Sequence, residues 1–170
     1  MIKKTDKIIR YETNIESMGK GLVMLEVKAK CKRVGFNYHY YFENGIKPPL
    51  DFAINPESNM IEYVTFFIQD EIVKTEKPSC DIEFCSTNII IEDGDFSEKF
   101  YEKNIRKEFD VFLYNRAIYI IEKNIIGNVV GYELNKSVMI LINSNNRFSG
   151  LIIRIGDEEL SILKHAEVLV

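Results

Sequence analysis

The sequence predicts a mainly β protein: an antiparallel sandwich or strongly curved barrel built of two similar halves, with one linking helix. Three observations lead there. First, one pattern occurs twice. Leu50 to Glu71 reads LDFAINPESNMIEYVTFFIQDE and Val138 to Glu159 reads VMILINSNNRFSGLIIRIGDEE, aligned without a gap at an offset of 88 residues. Ile54 falls on Ile142, Asn55 on Asn143, Met60 on Phe148 and Val64 on Ile152. Each copy is an apolar run, an Asn-rich turn, a second apolar run and an acidic exit, which is the pattern of a β-hairpin. Second, Leu22 to Val34 alternates strictly: Val23, Leu25, Val27, Ala29 and Cys31 against Met24, Glu26, Lys28, Lys30 and Lys32. One apolar and one largely charged face is the period-two signature of a half-buried strand. Third, Ile, Phe and Tyr carry an apolar fraction of 46%, with no Trp. Branched and aromatic side chains pack well on pleated surfaces.

These observations place one compact domain over residues 1–170, with duplication expected between 20–85 and 108–170. The alternative is that two hairpins of similar length align simply because they share the grammar of β-sheets.

Along the chain, Gly19-Lys20-Gly21 is a turn feeding the alternating strand. Gly35 marks the next turn, and Phe36 to Glu43 (FNYHYYFE) is expected to return against that strand. Asn44-Gly45 is a turn signal, and Pro48-Pro49 ends any ladder there. In the first hairpin, Pro56 presets a type I turn that Asn55 can open, and Asn59 tolerates left-handed torsions. Lys77-Pro78-Ser79 is a connector, Asn88 to Glu92 a short strand, and Asp93-Gly94-Asp95 a turn. Ser97 to Lys107 is the helix candidate, because Ser97 can cap a stripe formed by Phe100, Tyr101, Asn104 and Ile105. Phe109 to Glu122 fits either period. The offset that places Val23 on Val111 and Leu25 on Leu113 favours strand; the alternative is an α+β domain in which Phe109 to Glu122 is helical. Gly127 and Gly131 are expected to bracket a short strand around Val129 and Val130.

Charge narrows the function. A formal net charge of −4 argues against a nucleic-acid partner, because phosphate contacts need surplus Lys and Arg. The ridge of Lys28, Lys30, Lys32 and Arg33 is better read as a solvated or edge-protecting face. The N-terminus lacks the apolar block of a signal peptide, and no window approaches the roughly 18 apolar residues of a membrane span. Three cysteines, an odd number, do not suggest a disulfide framework, so a reducing cytoplasm is the expected compartment.

No stretch carries a catalytic, metal or nucleotide signature. Cys80 and Cys85 lack zinc-knuckle spacing, and Cys31, Cys80 and Cys85 are expected to be free thiols. The acidic runs Glu92-Asp93-Gly94-Asp95 and Asp157-Glu158-Glu159 lack calcium-loop spacing and read as solvated turns. His165 is expected at the surface or on a terminal strand. No catalytic residue, metal or cofactor is assigned. The candidate binding residues are Tyr38, His39, Tyr40, Tyr41 and Glu43, in a strand whose side chains combine apolar bodies with polar tips. Alternation separates Tyr38 and Tyr40 from His39 and Tyr41, so one pair faces the core and the other can meet a partner. The sequence therefore points to a non-catalytic protein-binding module, in concrete form an immunity- or antitoxin-type inhibitor. A homo-oligomeric assembly subunit and a small-ligand binder or enzyme with its pocket between the halves are the alternatives.

Overall fold

In the computed structural model, which describes residues 2–31 and 35–169, the chain forms strands and one helix. A short β1 (Ile2–Thr5) precedes β2 (Tyr11–Gly19), β3 (Leu22–Ala29), β4 (Tyr38–Glu43), β5 (Leu50–Ile54) and β6 (Ile61–Gln69). Three short strands follow: β7 (Ile82–Cys85), β8 (Asn88–Ile91) and β9 (Glu102–Arg106). Then come β10 (Phe109–Tyr114), β11 (Ala117–Glu122), β12 (Val129–Asn135), β13 (Val138–Asn143), β14 (Phe148–Arg154) and α1 (Asp157–His165).

Two six-stranded sheets result, ordered β2-β3-β6-β5-β4-β9 and β10-β11-β14-β13-β12-β7. Each holds five consecutive antiparallel strands in the same order. The sixth strand of each comes from the connection between them and pairs parallel: β9 beside β4, and β7 beside β12. The connection thus visits the second sheet, forms β8 against β1, and returns to the first. Both sheets are open, so the architecture is a sandwich and not a closed barrel.

The inner faces share one core, in which Val23, Leu25, Val27, Phe52 and Ile54 meet Ile118, Ile120, Leu151 and Ile153. Rings cross the interface: Phe52 and Phe148 lie 4.9 Å apart, Phe42 and Phe148 5.0 Å, and Phe66 and Phe109 6.2 Å. Burying each such side chain contributes about 1.5–3 kcal/mol, which makes this interface the main source of stability. A second apolar cluster, including Ile121, Leu141 and Ile152, occupies the outer face of the second sheet. After β6 the chain bonds to the edge of β10 through Lys74, then runs on to β7 at the opposite edge, placing Cys80 against that cluster.

The repeated hairpins are β5–β6 and β13–β14. Asn55 and Asn143 open their turns, and each side-chain oxygen accepts two backbone N–H bonds from the turn. Asn59 and Asn146 supply the left-handed residue, at φ 58° and 59°. Both ladders shift register just before the turn, between Ala53 and Ile54 and between Leu141 and Ile142. The match is not gap-free, however. Ile54 pairs with Ile61 but Ile142 with Phe148, so the second turn is one residue shorter and Phe148 corresponds to Ile61, not Met60.

Other expectations are corrected. Ser97 to Lys107 is not helical: Ser97 accepts a turn bond from Phe100, and Glu102–Arg106 is β9. The helix is α1, whose acidic first turn complements its dipole, so Asp157-Glu158-Glu159 is a helix start and His165 lies in its last turn. Although it follows the second sheet, α1 reaches the first, where Gly21 N–H donates to Ala166 C=O. Phe109 to Glu122 is neither a helix nor one strand but a tight hairpin, with Asn115 and Arg116 both at positive φ. The counterpart of β3, which pairs with β6, is therefore β11, which pairs with β14; the alignment of Val23 with Val111 fails. Strand β4 does not return against β3, because β2 and β6 already occupy both edges of β3. That strand also ends at Ala29, leaving Cys31 exposed; Lys32, Arg33 and Val34 lie outside the described residues. Gly131 sits within β12 and does not end it. Cys31, Cys80 and Cys85 are free, and no helix among the described residues is long and apolar enough to cross a membrane.

Candidate functional site

Strand β4 divides the candidate residues between two faces. Tyr38 and Tyr40 turn inward and pack against the core. Phe96 covers them, stacked on Tyr38 at 4.8 Å and edge-on to Tyr40 at 5.0 Å. The Tyr40 hydroxyl donates to Asp93, whose carboxylate also holds the Lys103 ammonium. Burial, and then Asp93, push the Tyr40 phenol far above its ordinary value. For Asp93, burial acts upward, but the Lys103 and Tyr40 hydrogen bonds outweigh it and hold the carboxyl below its usual range.

His39 and Tyr41 lie on the outer face, whose rows follow from strand register. Glu26, Thr65, Asp51, Tyr41 and Asn104 face one another across β3, β6, β5, β4 and β9; Lys28, Tyr63, Ala53, His39 and Glu102 form the next row. Asp51 therefore sits diagonal to both His39 and Tyr63. His39 Nδ1 lies 2.8 Å from one carboxylate oxygen, and the Tyr63 hydroxyl donates to the other at 3.0 Å. A carboxylate only accepts, so Nδ1 carries the proton and Nε2 remains for another partner. The small, fully buried Ala53 between the two rings lets them approach, 6.0 Å apart and edge-on, while His39 stacks on Tyr41 at 5.3 Å. Burial first, and Asp51 second, raise the Tyr63 and Tyr41 phenols, so both remain protonated donors. Glu43 is on the same side of β4, opposite Arg106, with its carbonyl accepting from Lys107 N–H. The structure thus brings His39 and Tyr41 together and separates them from Tyr38 and Tyr40.

Sequence reasoning missed Asp51 and Tyr63. Their signal was present: each occupies the outward position in an alternating run, Leu50-Asp51-Phe52 and Glu62-Tyr63-Val64. It missed also a cleft of about 690 Å³ at the β9 edge, where the sheets part under the β13–β14 turn. The aromatic side chains of Phe42, Phe52 and Phe148 line it. At its base Lys107, only 10% exposed, bonds to Glu122 at 3.0 Å and to Phe148 C=O at 2.7 Å, and Ser149 donates to the same Glu122 oxygen at 2.9 Å. This network ties the first sheet to the second. No group of three or more His, Cys, Asp or Glu side chains among the described residues is arranged to hold a metal ion. No protein-family model matches the chain, and no curated protein matches it in sequence.

Proposed function

We propose that this chain is a non-catalytic protein-binding module that meets its partner with the outer face of the first sheet. The observation that supports this reading is the ordered aromatic and acidic patch in which Asp51 fixes His39 and Tyr63 and His39 stacks on Tyr41. Fixed aromatic side chains lose little entropy on binding, and Tyr is enriched where interfaces concentrate their energy. The surrounding charge is acidic. Glu12, Glu26, Glu43, Asp51 and Glu102 outnumber Lys28 and Arg106, and Lys28 already lies within 4 Å of Glu12 and Glu26. Such a face steers a basic partner. An immunity-type inhibitor covering the basic site of a toxin is one concrete form of this function.

The test is affinity capture from the native host with wild type, Tyr41→Ala, His39→Ala and a control on the other sheet, Arg154→Ala. The patch variants should weaken retention of one basic partner by about 1–4 kcal/mol while the control binds as wild type. A partner held equally by all four proteins would overturn the assignment to this face.

A further inference from the structure

We infer that two copies of this chain pair through the open edge of β9, antiparallel about a twofold axis, so that their first sheets join into one. The contact uses an edge and not the outer face, so it stands whether or not that face binds another protein.

The backbone supplies the first argument. β9 is the terminal strand of its sheet and pairs parallel with β4. Tyr101 C=O accepts from His39 N–H at one end of that ladder, and Lys107 N–H donates to Glu43 C=O at the other. Parallel pairing gives alternate residues to the neighbour, so Lys103 and Ile105 also bond to β4. The N–H and C=O groups of Glu102, Asn104 and Arg106 therefore point away from the sheet. An antiparallel copy centred on Asn104 sets Glu102 opposite Arg106 of the partner subunit, Asn104 opposite its own equivalent, and Arg106 opposite Glu102 of the partner subunit. All three are positions at which facing residues exchange both backbone bonds.

The side chains supply the second. Glu102, Asn104 and Arg106 are exposed on the outer face, and neither Glu102 nor Arg106 makes an ion pair within 4 Å among the described residues. Glu43 lies across the ladder from Arg106 without engaging it. The register that satisfies the backbone thus also brings a carboxylate to each guanidinium, twice by symmetry, and the two amides of Asn104 meet on the axis. Lys103, an inward charge of the kind that discourages edge pairing, is already answered by Asp93.

The other edges lack this match. The segment through Lys74 already bonds to β10. α1 packs against β2, which carries Glu12 and Glu16 and no cation. On β7, the register that sets Ile82 opposite Phe84 sets Glu83 against Glu83.

An edge of five residues is a small interface, so the dimer should be reversible, with a dissociation constant on the order of ten micromolar. Sedimentation equilibrium over a concentration series tests this. Glu102→Arg and Arg106→Glu should each weaken the dimer about tenfold or more, because each places like charges opposite one another at both ends. Mixing these two variants should restore association, as a heterodimer, and Glu102→Arg/Arg106→Glu in one chain should restore the homodimer. Asn104→Pro removes only an outward N–H and should also weaken it. The substituted side chains are exposed, so melting temperatures measured at monomeric concentration should stay near wild type. Wild type that remains monomeric to about 1 mM, single charge variants that dimerise like wild type, absence of rescue in the mixture or the double variant, or a dimer indifferent to Asn104→Pro would each overturn the inference.

Discussion

Backbone conformation decides the residue that tolerates change least. Gly150 lies in β14 at φ 147°, opposite Leu141, where the β13–β14 ladder shifts register. A Cβ built there would stand 1.9 Å from the Ile120 carbonyl oxygen, which is backbone of the neighbouring β11 and cannot rotate away. Two penalties coincide, a torsion unfavourable for L residues and a collision inside a central strand. Gly150→Ala should therefore cost about 4 kcal/mol or more, or prevent folding altogether. Denaturant midpoints for Gly150→Ala and, as a control, the unhindered Gly94→Ala check this, because nothing lies within 4 Å of a Cβ at Gly94. A Gly150→Ala protein of wild-type stability would show that β14 moves aside easily. Asp51 makes the complementary point about chemistry: its carboxylate engages two rings on two neighbouring strands, so the order of the aromatic patch depends on a residue that does not itself display a ring.

Strands were legible in the sequence where one face is buried and the other wet. In β3, Val23, Leu25 and Val27 are at most 1% exposed while Lys28 is exposed, as its alternation requires. Leu25→Ala should cost about 2–5 kcal/mol and Lys28→Ala close to nothing, read as denaturant midpoints. Equal effects would reject the assigned faces. Edge strands were less legible. In β2 only Tyr11 and Ile15 are buried, a spacing of four that carries no period-two signal, and no strand was expected there. β9 alternates, with Lys103 and Ile105 half-buried, but Ser97 and an apolar stripe imitated a helix start. The open edge of β4 captured the segment instead, a tertiary pairing that local propensity does not encode. The same misreading concealed the cleft, since Lys103, Arg106 and Lys107 fell inside or at the end of the supposed helix. β11 and β14 were apolar on both faces because the connection through Cys80 packs against the outer side of their sheet. The candidate residues on β4 were half legible. Alternation separated His39 from Tyr40, but which pair faced outward depended on Phe96, distant in sequence, covering Tyr38 and Tyr40.

At the scale of the molecule, buried phenols make stability depend on alkaline pH. Tyr11, Tyr40 and Tyr63 are raised, first by burial and then by Glu62, Asp93 and Asp51 respectively. In the unfolded chain these phenols ionise near pH 10, so above that the unfolded state holds fewer protons than the folded one. The sign follows from linkage: their contribution is complete below about pH 10 and is lost as pH rises toward the folded values. Denaturant midpoints should fall above about pH 10, and more gently in Tyr40→Phe; a flat profile would contradict the burial of these hydroxyls. The topology leads to a further expectation. Each sheet takes its sixth strand from the connection, with β7 leaving the first sheet's sequence for the second and β9 returning. Neither sheet is complete without that exchange, and both contribute to one apolar core crossed by Phe42, Phe52, Phe109 and Phe148. The partly buried Lys107–Glu122 pair adds a polar tie between them. Unfolding one sheet alone would expose the inner face of the other and remove its borrowed strand. The two should therefore unfold together in one cooperative transition. Far-ultraviolet circular dichroism and near-ultraviolet tyrosine signals, followed through the same denaturant series, should coincide. Two separated transitions would show that each sheet carries a sufficient core of its own.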